Sequence, residues 1–140
     1  MNRLRLCLGT MITAAVLLLW AGAMAEIRIN EVMASNGVYQ DGHAYDWAEL
    51  YNDGAEVSLA GWYLSNDPYQ PYKWAFPSGA KITENGYLIV YCAGEGKEPM
   101  TDALCTNFKL SADGDTLCLT SPDGESTVLS FGAQFGNVSY

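Results

Sequence analysis

A strand-like segment at residues 46–52 (DWAELYN), closed by a turn, governs what this chain can fold into. A two-residue period places Ala48 and Leu50 on one face of the segment and its two rings with Glu49 on the other. Residues 52–54 (NDG) then turn the chain, because Asn, Asp and Gly tolerate tight-turn backbone angles. The pattern predicts a strand that buries one face.

A second segment, residues 61–65 (GWYLS), follows ten residues later and alternates in the same way. Trp62 and Leu64 share a face, while Tyr63 and Ser65 point away. No helical period competes with either pattern. Together the two strands predict one side of a β-sandwich and exclude an α/β sheet.

The remaining apolar patterns are also strand-like, and they predict an all-β chain. Residues 87–92 (YLIVYC) are apolar on both faces, which favours a central strand with Leu88 and Val90 inward. The dipeptide at 85–86 (NG) predicts a hairpin, and residues 121–124 (SPDG) predict a turn. In the first strand, 26–34, Glu31 shares a face with apolar residues, so we expect a β-bulge or a strand end there; a partly buried carboxylate with compensating hydrogen bonds is the alternative. Further strands are predicted at 74–76, 80–83, 107–110, 116–120 and 126–131.

These motifs carry a resemblance to a known family. The segment 46–52, with 29–32 (INEV) upstream and 108–110 (FKL) downstream, resembles the lamin tail domain, in its bacterial secreted branch found with CotH-type kinase domains. Residues 61–64, 76–77 and 137–140 follow in the same order, so the similarity runs from about Ile27 to Tyr140. It implies an immunoglobulin-like β-sandwich. In that family a closing segment follows the stretch like 137–140, so we expect a fragment of a larger protein or an exposed sheet edge.

The amino end predicts export. Arg3 and Arg5 precede an apolar run at 6–20, and residues 23–25 (AMA) suit a signal peptidase. We therefore predict a signal peptide at 1–25 and one lamin-tail-like domain at 26–140, truncated at its C-terminal end if the chain is a fragment. The protein is expected to be secreted or at the cell surface, with no membrane insertion after cleavage; an uncleaved anchor is the alternative, although the run is shorter than a membrane span.

The charge balance limits the partners. Two of the seven basic residues lie in the predicted signal peptide, so five face sixteen acidic ones and the exported part carries a net charge of −11. Such a surface repels nucleic acid and anionic lipid. Calcium is the one cofactor that the sequence suggests. Its ligands would be Asn36, Asp41 and Asp46, joined by Glu31 or Glu49. Ordinary Asx turns are the alternative, because the spacing of these residues lacks the EF-hand pattern.

Three cysteines remain after residue 25, an odd number. Cys92 ends an apolar strand and Cys105 follows a glycine-rich loop, so a disulfide between these two is sterically allowed in an exported protein. Three small buried side chains, with Cys118 as the third, are the alternative. The chain has no Cys-x-x-Cys motif or histidine pair, which argues against structural zinc.

No catalytic motif is present, so the chain is not expected to be an enzyme. It has no phosphate-binding loop and no HExxH helix, and its single histidine, His43, is expected to be solvated in a loop. We predict a non-catalytic recognition, adhesion or scaffolding module whose exposed rings bind an extracellular protein or glycan. The candidate residues are Tyr69, Tyr72, Tyr39 and Tyr45; the alternative for Tyr69 and Tyr72 is that their rings fold back over the rim of the sandwich. Two alternatives are an N-terminal accessory domain of a larger secreted enzyme, a CotH-type kinase or hydrolase, and, less favoured, an enzyme built on these loops.

Overall fold

A computed structural model describes residues 26–40, 42–97 and 102–140 of the chain. The predicted signal peptide, Asp41 and residues 98–101 lie outside the described residues. In the described part the regular elements are strands without an α-helix, which confirms the predicted all-β class. That part of the chain accordingly offers no helix that is long and apolar enough to span a membrane.

The described residues form ten strands, numbered in chain order. They are β1 (Ile27–Met33), β2 (Asp46–Asn52), β3 (Val57–Ser58), β4 (Tyr63–Ser65), β5 (Trp74–Ala75), β6 (Lys81–Ile82), β7 (Tyr87–Cys92), β8 (Leu104–Cys105), β9 (Gly114–Thr120) and β10 (Ser126–Gly132).

The strands build two four-stranded sheets and one short ribbon. The first sheet has the order β1-β2-β7-β8, the second has the order β10-β9-β4-β5, and β3 pairs with β6. All pairings are antiparallel except that of β7 with β8. Inward side chains of both sheets share one core, so the predicted immunoglobulin-like β-sandwich is confirmed. The largest fully buried apolar side chains are Leu50, Leu59, Leu64, Ile82, Leu117 and Leu119.

Strand β2 has the predicted alternation. Ala48, Leu50 and Asn52 are fully buried, while the alternating side chains between them are partly exposed. In β1 the alternation is shifted at Asn30, because Ile29 pairs with Leu50 and Glu31 with Glu49. The extra residue is the expected β-bulge.

Because of the bulge, Glu31 does not point into the core with the buried residues of β1. Before the bulge Ile27 faces the core, and after it Val32 does so, although the two are an odd number of positions, five, apart. The bulged Asn30 uses its amide to bind Glu49 on β2, with Nδ2 to Oε1 at 2.8 Å. Glu49 therefore makes a cross-strand hydrogen bond in the middle of its strand.

The prediction that the strands at 46–52 and 61–65 form one side of the sandwich is wrong. Strands β2 and β4 lie in opposite sheets and do not form one side of the sandwich. The chain crosses between the sheets through residues 53–62, which include β3. The ribbon of β3 with β6 covers one end of the core, where Leu59 and Ile82 are buried. For the same reason residues 85–86 form a turn but no hairpin, since β6 and β7 belong to different sheets. Alternation identifies a buried face, but it carries no information about which sheet receives the strand.

Strand β7 is central, as predicted, because it pairs with β2 on one side and β8 on the other. Val90 is fully buried and Leu88 partly so. The predicted strand at 107–110 is wrong: Phe108 and Leu110 are buried, but the segment joins no sheet. It runs instead as an irregular inner segment that leads into β9.

A hairpin and the C-terminal segment complete the second sheet and its border with the first. The turn between β9 and β10 places Gly124 at a positive φ of 83°, as the sequence predicts. Beyond β10 the chain crosses to β1, where Val32 and Tyr140 exchange backbone hydrogen bonds of 2.9 and 2.8 Å. Tyr140 therefore covers the edge of β1 at Val32.

Candidate functional site

The segment between β4 and β5, residues 66–73, carries two of the four predicted tyrosines, Tyr69 and Tyr72, and is called the tyrosine loop below. Asp67 holds its turn. The Asp67 carboxylate accepts hydrogen bonds from the Tyr69 backbone N–H at 2.9 Å and from Gln70 Nε2 at 2.8 Å. These two bonds lower the pKa of Asp67 below its ordinary value. The loop is thus braced locally, next to Pro68 and Pro71, which restrict its backbone further.

The tyrosine loop folds back over the outer face of the second sheet. Ser65, Cys118 and Thr120 alternate with the core leucines and so face outward, yet each is almost fully buried. Thr120 Oγ1 donates to the Pro71 carbonyl at 3.5 Å, and Ser65 Oγ exchanges hydrogen bonds with the Asp67 backbone. Burial beneath the loop raises the pKa of the Cys118 thiol, and the nearby Asp67 carboxylate adds to that effect.

A second set of contacts anchors the far end of the loop. Lys73 Nζ donates to Asn66 Oδ1 at 2.7 Å, which ties the last residue of the loop to the first. Asn66 Nδ2 donates to the Lys109 carbonyl at 3.1 Å, and Asn107 Nδ2 donates to the Lys73 carbonyl at 3.2 Å. The inner segment at 107–109 therefore serves as the base of the tyrosine loop.

The loop displays its two rings differently. Tyr69 is 94% exposed, whereas Tyr72 is 58% exposed and meets the ring of Tyr63 edge-on, with centroids 5.0 Å apart. Together with Gln70, Pro71 and Lys73, the two tyrosines line an open groove of about 400 Å³. The result is one free ring and one supported ring on a braced loop.

The other two predicted tyrosines lie in a separate place, the loop between β1 and β2. Tyr39 is 75% exposed, and Tyr45 stacks on His43 with ring centroids 4.8 Å apart and planes 14° apart. An open cleft of about 500 Å³ is lined by these three rings with Lys97 and Lys109. His43 is thus half-buried against Tyr45, where we expected a solvated side chain. The structure divides the four predicted tyrosines into two clusters.

Two of the predicted calcium ligands come together, but in the geometry of an Asx turn. Asp46 Oδ1 accepts from the Asn36 backbone N–H at 3.3 Å, and Asn36 Oδ1 accepts from the Val38 N–H at 3.0 Å. Burial raises the pKa of Asp46, the hydrogen bond from Asn36 opposing it. In 26–40, 42–97 and 102–140 no three His, Cys, Asp or Glu side chains gather as a metal site. Asp41 lies outside the described residues, so calcium binding stays a prediction.

All three described cysteines are free thiols, and the predicted bridge between Cys92 and Cys105 is not formed in this structure. In the parallel register Cys105 pairs with Tyr91, so it lies on the face opposite to that of Cys92. Cys92 is fully buried, and burial raises the pKa of its thiol while a hydrogen bond with Thr106 opposes the rise. The sequence shows that both cysteines lie near strand ends, but it does not show that their side chains point to opposite faces of the sheet.

Asp67, which fixes the backbone of the tyrosine loop, was not among the predicted site residues. Its position before a proline and three residues before Gln70 is typical of an Asx turn, so the pattern was available. The burial of Ser65 and Cys118 has no comparable sequence pattern, because it depends on where a loop from the same sheet lies.

Comparison with known proteins yields one family. A family model described as Lamin Tail Domain matches residues 21–134. No curated protein matches the chain. The match spans every strand described above.

Proposed function

Because this chain belongs to the lamin tail domain family, a family of immunoglobulin-like domains without enzymatic activity, we propose that it is a recognition module that acts outside the cell. Its partner is a glycan bound by the tyrosine loop, with a protein surface as the alternative partner. In such folds a rigid sandwich positions loops that carry the function. The observation that carries the proposal is a ring that is 94% exposed, Tyr69, on a loop braced at both ends.

Sugar rings suit this surface. The apolar face of a sugar stacks on an aromatic ring, and the tyrosine hydroxyl remains available for a hydrogen bond. A braced loop loses little conformational entropy on binding, which favours affinity. Tyr72, supported edge-on by Tyr63, supplies a second ring in the same groove.

The matching experiment compares tyrosine variants on an array of neutral and acidic oligosaccharides. We expect the Tyr69→Ala/Tyr72→Ala protein to bind the preferred glycan at least tenfold more weakly, because an aromatic contact contributes about 1 kcal/mol or more per ring. Tyr87→Ala is the control, since Tyr87 on β7 is 61% exposed and lies in the other sheet. Unchanged binding by the double variant contradicts the proposal, and a loss confined to Tyr39→Ala moves the site to the cleft beside His43.

A second candidate follows from the bacterial branch to which the chain is similar. There the domain acts as an accessory unit of a larger secreted enzyme, a CotH-type kinase or a hydrolase, and the tyrosine loop would direct that enzyme to its target. The intact mass of the natural product from its producing cells separates the two. A mass that matches residues 26–140 favours the free-standing module, and a much larger mass favours the accessory domain.

A further inference from the structure

Strand β10 is an outer strand of the second sheet, and it is the least protected outer strand among those described. Strands β5 and β8, at the other sheet edges, are two residues long each. Strand β1 carries Arg28, Glu31 and a bulge, and Tyr140 covers part of its edge. These are the devices by which natural sheets block unwanted pairing. Strand β10 has seven residues, no charge, no proline and an unbroken register with β9.

The register of the β9–β10 hairpin identifies the backbone groups that face outward. Ser121 N donates to the Glu125 carbonyl at 2.8 Å and closes the turn. Hydrogen-bonded and non-hydrogen-bonded pairs alternate along an antiparallel ladder. The backbone N–H and C=O groups of Ser126, Val128 and Ser130 therefore point away from β9.

Side-chain contacts support this assignment. Strands approach most closely at non-hydrogen-bonded pairs, and hydroxyl pairs form at two of them, Thr120 with Ser126 at 2.8 Å and Thr116 with Ser130 at 3.0 Å. Five of the seven β10 residues are exposed, including Val128 at 52%. Among the described residues, no hydrogen bond from outside the ladder reaches the backbone of β10.

We infer that β10 is a docking edge for an extended peptide segment of a partner protein, which adds a fifth strand to the second sheet and has basic residues on both sides of a neutral, β-prone centre. Added strands gain affinity from main-chain hydrogen bonds and specificity from alternate side chains. The inference concerns a different surface from the tyrosine loop and does not depend on it.

The acidic residues at both ends of β10 favour a peptide partner with basic ends. Exposed Asp123 and Glu125 precede β10, and exposed Asp113 adjoins Gly114, the partner of Gly132 at the far end of the strand. A neutral edge with carboxylates at both ends complements a peptide with basic ends. A second copy of the chain would bring these carboxylates against each other, on domains that each carry a charge of −11 by the count above.

The test uses the synthetic peptide KKTVTVTKK and the full protein, followed by amide NMR shifts and calorimetry. We expect the largest shifts at Ser126, Val128 and Ser130, with none at Tyr69. Val128→Pro removes an outward N–H without breaking the ladder, and we expect at least tenfold weaker binding; Val128→Ala, which keeps the N–H, should bind within twofold of the unchanged protein. The peptide EETVTVTEE should bind at least tenfold more weakly than the basic one.

Three results would overturn the inference. They are equal binding to folded Val128→Pro protein, shifts confined to other surfaces, and a concentration-dependent dimer in sedimentation that Val128→Pro abolishes, which would assign the edge to a second copy. A version of KKTVTVTKK with alternate N-methylated amides keeps the test decisive if Val128→Pro does not fold. It should lose binding to the unchanged protein, and retained binding refutes strand addition.

Discussion

Asn52, the last residue of β2, should be among the most sensitive polar positions in the chain. Its side chain is fully buried, and its amide makes three hydrogen bonds: Nδ2 donates to the carbonyls of Ala55 at 2.7 Å and Thr83 at 3.0 Å, while Oδ1 accepts from Gly54 N–H at 3.1 Å. These bonds fasten the turn after β2 to the loop before β7. The turn begins the crossover through residues 53–62, and the loop leads from the ribbon of β3 with β6 back to the first sheet.

The change Asn52→Ala removes all three bonds and leaves their partners in a buried place. At about 1 kcal/mol for each neutral hydrogen bond, we expect the free energy of unfolding to fall by about 3 kcal/mol. For a domain of this size that lowers the melting temperature by about 10–15 °C. Urea unfolding measures the loss, with the slope against urea unchanged if the folded state keeps its compactness. Asn107→Ala removes one exposed hydrogen bond and should cost less than about 0.5 kcal/mol.

Asn52→Asp sharpens the same argument because it keeps the acceptor and replaces two donors by an oxygen. Its ionised carboxylate would face two carbonyls in a buried place, so its pKa in the folded state should rise above the unfolded value. The folded state then prefers the protonated form, and the variant should become more stable as pH falls from 7 towards 4 relative to the unchanged protein. A loss of less than about 1 kcal/mol in Asn52→Ala would refute the view that this amide fastens the crossover.

Three further outcomes follow from single contacts. Among the thiols of residues 26–140, iodoacetamide should modify Cys105 alone in the folded protein and two more after unfolding. A mass that shows only one thiol alkylated after unfolding would instead indicate a disulfide. Burial raises the pKa of Asp46, so the ionised carboxylate destabilises the folded state at pH values above the unfolded pKa, and this cost vanishes at low pH. Asp46→Asn should therefore raise the melting temperature at pH 7 more than at pH 3. An equal effect at both pH values would contradict this. Gly86→Ala should cost about 1–3 kcal/mol, because a Cβ there would overlap Thr83 Oγ1 and lie 3.0 Å from the Thr83 carbonyl oxygen, while Gly79→Ala should be nearly neutral in open space.

The sequence was sufficient for features that depend on neighbouring residues. Alternation in β2, the bulge beside Glu31 and the turn at Gly124 all follow from side-chain periodicity and local backbone preference. Tyr69 is exposed, in agreement with the absence of a periodic pattern that would place its ring in the core, but the sequence left open that the ring folds back over the sandwich.

Long-range placement was beyond the same arguments. Strands β2 and β4 alternate alike whether they lie in one sheet or in two, so the crossover through residues 53–62 could not be inferred. Ser65 faces outward as predicted but is buried, since the tyrosine loop folds over it. The separation of Tyr39 and Tyr45 from the tyrosine loop likewise depends on which loops meet in space.

The most direct test of the recognition proposal is hydroxyl-radical footprinting of the protein alone and bound to its preferred glycan, with the oxidation of each tyrosine read by mass spectrometry. Free protein should be oxidised readily at Tyr69, which is 94% exposed, and also at Tyr87. We predict that glycan binding protects Tyr69 and Tyr72 and leaves Tyr87 unchanged. If Tyr69 stays as reactive in the bound protein as in the free protein, the tyrosine loop is not the recognition surface.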